Sequence, residues 1–158
     1  MHRFSSWLAL SGLIIVLDQL SKYWILAALR PGQSIELGAF FNLVLVYNAG
    51  AAFSFLSDAG GWQRWFFVAL ALGISIWLVL LVRRHALERL LPLAAAMILG
   101  GALGNVIDRI HYGAVVDFLD VHAGGWHWPA FNIADSAISI GVALLIWQQL
   151  FFAHEEGK

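Results

Sequence analysis

An all-α membrane protein with four spanning helices is the fold class that the sequence predicts, and three observations carry it. Of 158 residues, 61% are hydrophobic and only 12% are charged, about half the charge of an ordinary soluble domain. So apolar a chain has too little polar surface to cover a water-soluble globule. Four apolar stretches approach the roughly 20 residues needed to cross a bilayer. Tryptophans gather at the ends of those stretches, at Trp62, Trp65, Trp126 and Trp128, as they do in interfacial aromatic belts.

The first span is expected over residues 7–29, interrupted by Asp18, Gln19, Ser21 and Lys22. Arg3 followed by an apolar run resembles a secretory signal. No small-residue cleavage site follows, so the run reads as a retained anchor. The second span is expected over 65–82, the third over 90–107 and the fourth over 133–152. The connections over 30–64 and 108–132 are too long for simple turns. Within them Gln33–Leu37, Phe41–Tyr47 and Ala114–Phe118 read as short strands, being β-branched and aromatic and broken by glycine. The whole chain, 1–158, reads as one integral membrane domain. Four spans put both termini on one face. Arg3, Arg83, Arg84, Arg89 and Lys158 lie on that side, against Arg30, Arg64 and Arg109 on the other. The excess marks the termini as cytoplasmic.

Near-neutral net charge and the lack of any basic run give no reason to expect a nucleic-acid partner. The chain has no cysteine, which excludes thiolate nucleophiles and cysteine-ligated metals. His111, His122 and His127 lie close in sequence but form no HExxH motif, and neither a metal nor a cofactor is expected.

The ionisable residues in apolar surroundings need explanation. Asp18 and Lys22 are four apart and share a helix face, where pairing lowers the cost of both charges near lipid. Lys22 is also within reach of a wider acidic cluster or a lipid head group. Gly100 and Gly104 form a GxxxG spacing suited to close helix contact. Asn105, Asp108 and Arg109 follow on one face near the end of the third span. Asp108 there opposes the helix dipole, with Arg109 as the adjacent compensating charge, and the two read as a clamp on the outer loops. Asp117 sits alone in an apolar run, whereas Asp120 reads as a loop acid facing water. Asn132 and Asp135 have the spacing of a capping box at the start of the fourth span. Asp117 and Asp135 both map to the outer ends of spans. Two such carboxylates can share one proton, and an acid paired with a carboxylate can activate water for peptide hydrolysis. From the residues alone, Asp135 stands between capping and catalysis.

The segments Asp18-Gln19-Leu20-Ser21-Lys22, Asn48-Ala49-Gly50-Ala51-Ala52-Phe53, Gly101 through Arg109, Val115-Val116-Asp117-Phe118 and Phe131-Asn132-Ile133-Ala134-Asp135 occur in an order and register that resembles bacterial lipoprotein signal peptidase (signal peptidase II). The resemblance covers nearly the whole chain. It implies an aspartic endopeptidase that removes signal peptides from prolipoproteins, cutting just before a Cys that carries diacylglycerol. It implies Asp117 and Asp135 as the catalytic pair. Lys22, Asn48, Gly50, Asn105, Asp108, Arg109, Asn132 and Ala134 fall at positions that bind substrate or support the site. It also implies a small extracytoplasmic β-sheet formed by the outer loops, with the site toward that face of the bacterial cytoplasmic membrane. The expected partners are prolipoproteins and membrane lipid, with the enzyme acting as a monomer.

The competing function is a small transporter or proton-conducting subunit, since ionisable residues within spans mark ion paths. That reading predicts charges near the midplane and an internal repeat. Here the acids gather toward one face, and no repeat is evident.

Overall fold

Each apolar stretch forms a helix, and the first three helices extend past the hydrophobic windows that predict them at one end or both. The computed structural model describes residues 2–50 and 60–151. Ala51, Ala52 and Phe53 of the second motif, together with Phe152 and Lys158, lie outside the described residues. Helices α1 (His2–Ala28), α2 (Trp62–Arg84), α3 (Leu90–Tyr112) and α4 (Ile133–Phe151) are all long and apolar enough to cross a membrane. At 1.5 Å per residue, the 27 residues of α1 reach about 40 Å, more than the hydrocarbon thickness.

Helix α3 is the hub. It packs against α1, α2 and α4 and is the most buried of the four, whereas the other three turn large apolar side chains outward. Small residues permit this. A side chain at Gly100 would meet the Ser11 carbonyl at 2.8 Å, and one at Gly104 would meet Asp18 Oδ2 at 2.8 Å. The GxxxG face therefore joins α3 to α1. On the α4 side, Gly101 faces the Ala134 carbonyl and Gly141 faces Ile98 and the Ala94 carbonyl. Gly101→Ala should push α4 away from α3 and cost about 1–3 kcal/mol. Gly12→Ala, which meets nothing within 4 Å, should be neutral. Thermal unfolding of both variants in detergent measures the contrast, and equal midpoints would remove the packing argument.

The connections build one antiparallel sheet in the order β1 (Ser34–Gly38), β2 (Phe41–Asn48), β3 (Val115–Ala123), β4 (Trp126–His127). Three corrections to the sequence expectations follow. Helix α3 continues past the expected end of the third span to Tyr112, and keeps Asp108 and Arg109 on the helix, as their spacing with Asn105 suggests. Strand β3 is longer than expected, and β4 was not expected at all. Gly113, at φ 80°, ends α3 and donates its N–H to the Arg109 carbonyl at 3.1 Å. This left-handed cap turns the chain directly into β3.

Leu43, Leu45, Val116 and Phe118 pack on Ile25 and Leu29 from the end of α1. Alternation along the strand then points Asp117 to the opposite face from Val116 and Phe118. A bulge between Leu43 and Val46 places Val46 across from Asp117 and Asn48 across from Val115, so Asn48 is the diagonal neighbour of Asp117. Phe131 exchanges backbone bonds with Leu119 at 2.8 and 3.1 Å. That bridge brings the start of α4 against β3.

Candidate active site

Polar side chains of α1 and α3 converge near the start of α4. Lys22 Nζ is the centre of the cluster. It donates to Asp18 Oδ2 at 2.7 Å and to Asn105 Oδ1 at 3.1 Å, and forms an ion pair with Asp108 Oδ2 at 2.8 Å. Asp18 and Asp108 are fully buried and Lys22 is 2% exposed. The expected Asp18–Lys22 pair is present, and Lys22 also reaches the acidic cluster.

Asp108 corrects the sequence reading. Its compensating cation is Lys22 on another helix, not the adjacent Arg109. Its Oδ2 also accepts the Val116 N–H at 3.0 Å, which fixes β3 one residue before Asp117. Arg109 instead holds the outer loop, donating to the Gly50 carbonyl at 2.8 Å and lying 5.2 Å over the Phe67 ring. The clamp role expected for both residues is therefore present, through different partners.

Asn105 joins the ion cluster to Asp135. An ammonium only donates, so Asn105 must turn Oδ1 toward Lys22. Its amide protons are thereby presented to Asp135 Oδ1, at 2.8 Å. Asn132 joins Asp135 to Asp117. Its Oδ1 accepts the Asp135 N–H at 2.8 Å, and Asp135 Oδ2 accepts the Asn132 N–H at 3.3 Å, completing the reciprocal capping box. Its side-chain amide donates to Asp117 Oδ1 at 2.8 Å. The capping expectation is met, and the same cap brings the second carboxylate into the site. Asn48 donates to Asp117 Oδ2 at 3.2 Å and accepts the Gly50 N–H at 3.0 Å. Ala134 is buried, and its N–H is held by Asp18 Oδ1 at 2.9 Å.

Asp117 lies on β3, outside the spans, and is 2% exposed. Burial, and then the nearby Asp135 charge, push its carboxyl up to about 7, against hydrogen bonds from Asn48 and Asn132 and the pull of Lys22. Four carboxylates (Asp18, Asp108, Asp117 and Asp135) face two cations (Lys22 and Arg109). That surplus of negative charge favours a proton on the Asp117–Asp135 pair. A carboxyl and a carboxylate so joined can serve as acid and base for one water.

Gln19 was missed in the sequence reading. It donates to Asp108 Oδ1 at 2.8 Å and to Asp18 Oδ2 at 3.2 Å, and an amide inside an apolar span was its only signal. Asp120 was misread. It is 6% exposed and accepts from Asn42 at 2.9 Å and His127 at 2.9 Å. Burial works to raise its carboxyl, but the His127 and Asn42 hydrogen bonds hold it below the usual range. His122 stacks on His127 at 5.0 Å, whereas His111 packs against Tyr112. The three histidines do not converge.

Residues 10–151 match the family model for signal peptidase (SPase) II. A lipoprotein signal peptidase of Burkholderia vietnamiensis is 59% identical over 91% of this chain and 87% of its own length. One from Azoarcus sp. is 57% identical over 91% and 82%. A solved bacterial membrane enzyme superposes with a TM-score of 0.85 at 33% identity, over 98% of this chain and 92% of that one. A second does so with a TM-score of 0.77 at 33% identity, over 94% of each.

Proposed function

The chain belongs to the signal peptidase II family, and on that footing we propose that Asp117 and Asp135 are its catalytic pair. The protein is a multi-pass protease of the bacterial inner membrane that removes signal peptides from lipoproteins. The family match does not favour the transporter reading. The observation that carries the catalytic assignment is Asn132, which bonds Asp117 through its side chain and Asp135 through its cap.

In the proposed reaction one carboxylate takes a proton from water as the water oxygen bonds to the scissile carbonyl carbon. The protonated partner gives its proton to the carbonyl oxygen. Collapse of the tetrahedral adduct breaks the C–N bond, and a proton passes to the leaving nitrogen. Asn48, Gly50 and Arg109, linked by hydrogen bonds beside Asp117, are proposed to hold the peptide. Lys22, Asn105, Asp108, Asn132 and Ala134 hold the carboxylates in place.

The proposed substrate carries diacylglycerol on the Cys after the cut. A lipid-anchored peptide brings its cleavage site to the interface, and its acyl chains need an apolar groove. One of about 570 Å³ runs between α1, α2 and α3, lined by Ile15, Leu72, Ile76 and Leu103 among others. Purified protein given the same prolipoprotein with and without the diacylglyceryl group should cut the lipidated form at least tenfold faster. Equal rates would remove the lipid from the specificity.

Further parts of the reading concern placement. The arginine excess supports cytoplasmic termini and a site on the extracytoplasmic side, and it is stronger once Arg109 is counted as a site residue. The reading proposed for the oligomeric state is a monomer. Near-neutral charge supports no role in nucleic-acid binding.

The pH dependence follows from Asp117. Its folded value near 7 is raised above the unfolded value near 4. The folded state therefore holds the proton between about pH 4 and 7 while the unfolded state does not, so the associated stability falls across that window and is gone above about 7. The singly protonated pair is lost as pH rises through about 7. A kcat/KM profile should fall on the alkaline side with an apparent value near 7 that belongs to the pair. A profile flat from pH 6 to 9 would contradict this.

A further inference from the structure

We propose that the end of the molecule opposite the carboxylate pair binds the phosphate of an anionic phospholipid between Arg3 and Arg89. A cavity of about 270 Å³ lies there, lined by Arg3, Ser6, Trp7, Leu10, Glu88 and Arg89. The cavity wall is built by the turn between α2 and α3. Arg3 Nη1 donates to the Leu87 carbonyl at 3.0 Å, and Trp7 Nε1 donates to the Ala86 carbonyl at 3.2 Å. These bonds hold the Arg3 guanidinium at the rim with further donors to offer. Glu88, the cavity's acid, is hydrogen-bonded to His85 Nδ1 at 2.6 Å. Among the described residues, neither Arg3 nor Arg89 makes an ion pair.

The surrounding field is positive. Arg83 and Arg84 occupy the last turn of α2, and both are exposed. Helix α3 opens with Arg89 at its N-cap, with no side-chain cap and no acidic residue in the first turn. A cation beside the positive end of a helix dipole is unfavourable, and an anion from outside the protein would offset both.

The apolar half of the cavity selects a lipid over a free ion. Trp7 and Leu10 line it, and Leu87 at the tip of the turn is 80% exposed. A phosphate between the arginines would lay the first methylenes of its acyl chains along Trp7 and Leu10. The charge balance selects an anionic lipid over a zwitterionic one, since basic pockets between helices at a membrane face retain anionic head groups.

The test uses the full-length protein in detergent, with lipid retention counted by native mass spectrometry and unfolding followed by heat. Phosphatidylglycerol should be retained and should raise the midpoint, while phosphatidylcholine and soluble glycerol phosphate should do neither. Arg3→Gln with Arg89→Gln should weaken retention about thirtyfold, from roughly fivefold per arginine. Arg83→Gln with Arg84→Gln should weaken it much less. If the first pair fails to fold, Arg89→Gln alone should still show the fivefold loss. Equal retention of both lipids, equal loss in both double variants, unchanged retention without Arg3 and Arg89, or equal binding of soluble glycerol phosphate would each overturn the proposal.

Discussion

Replacing Asp117 or Asp135 with Asn is expected to leave a folded membrane protein whose cleavage rate falls on the order of a thousandfold or more. The stability effect separates this from a structural role. Asp117 is buried near a second carboxylate, and burial and that charge both disfavour its ionised form. Asp117→Asn removes both penalties and gives up about 1 kcal/mol where a new amide donor meets Asn48 or Asn132. Its unfolding midpoint should therefore match or exceed the parent's. Asp135→Asn keeps an oxygen for the Asn132 N–H, so the cap of α4 should survive. A variant as stable as the parent and nearly inactive identifies chemistry rather than capping. If either Asn variant processes prolipoprotein at close to the parental rate, the pair is not the catalytic centre.

Lys22→Met should produce the largest loss of stability of any single change in the site. It leaves Asp18 and Asp108, both fully buried, without the ammonium that sits within 2.8 Å of each. Breaking a buried pair by removing one partner costs about 3–5 kcal/mol, a large share of a typical total of about 5–15 kcal/mol. Activity should fall as well, because Asn105 loses the donor that orients its amide toward Asp135. The decisive comparison adds Asp18→Asn and Asp108→Asn to Lys22→Met. Removing the stranded charges should restore much of the unfolding midpoint without restoring activity. A Lys22→Met protein as stable as its parent would mean that the cluster is solvated and that the buried-charge account is wrong.

Part of this site is legible because it is local. The Asp18–Lys22 pair follows from one helical turn. The Asn132–Asp135 cap follows from a three-residue spacing at the start of an apolar run. The GxxxG face announces a close helix contact, though not that its partner is α1. The misreadings share one cause. Asp108 and Arg109 are adjacent, so a sequence reading pairs them, yet neighbouring residues on a helix point about 100° apart. Each found its partner on another element. Asp120 looked solvated because Asn42 is distant in sequence. Strand register brings that amide to 2.9 Å.

The sequence by itself determined the solvent this protein folds in, the number of its spans and the residues able to do chemistry. Those properties depend on composition and short-range spacing. The five motifs in register also identified the family. Only the tertiary structure decided that Lys22 neutralises two acids at once. It alone showed which face of its strand Asp117 occupies, and that Asn132 ties it to Asp135. Helical periodicity says which residues share a face but not which element that face will meet. A strand slipped by one residue would turn Asp117 toward Ile25 and Leu29, away from its partner.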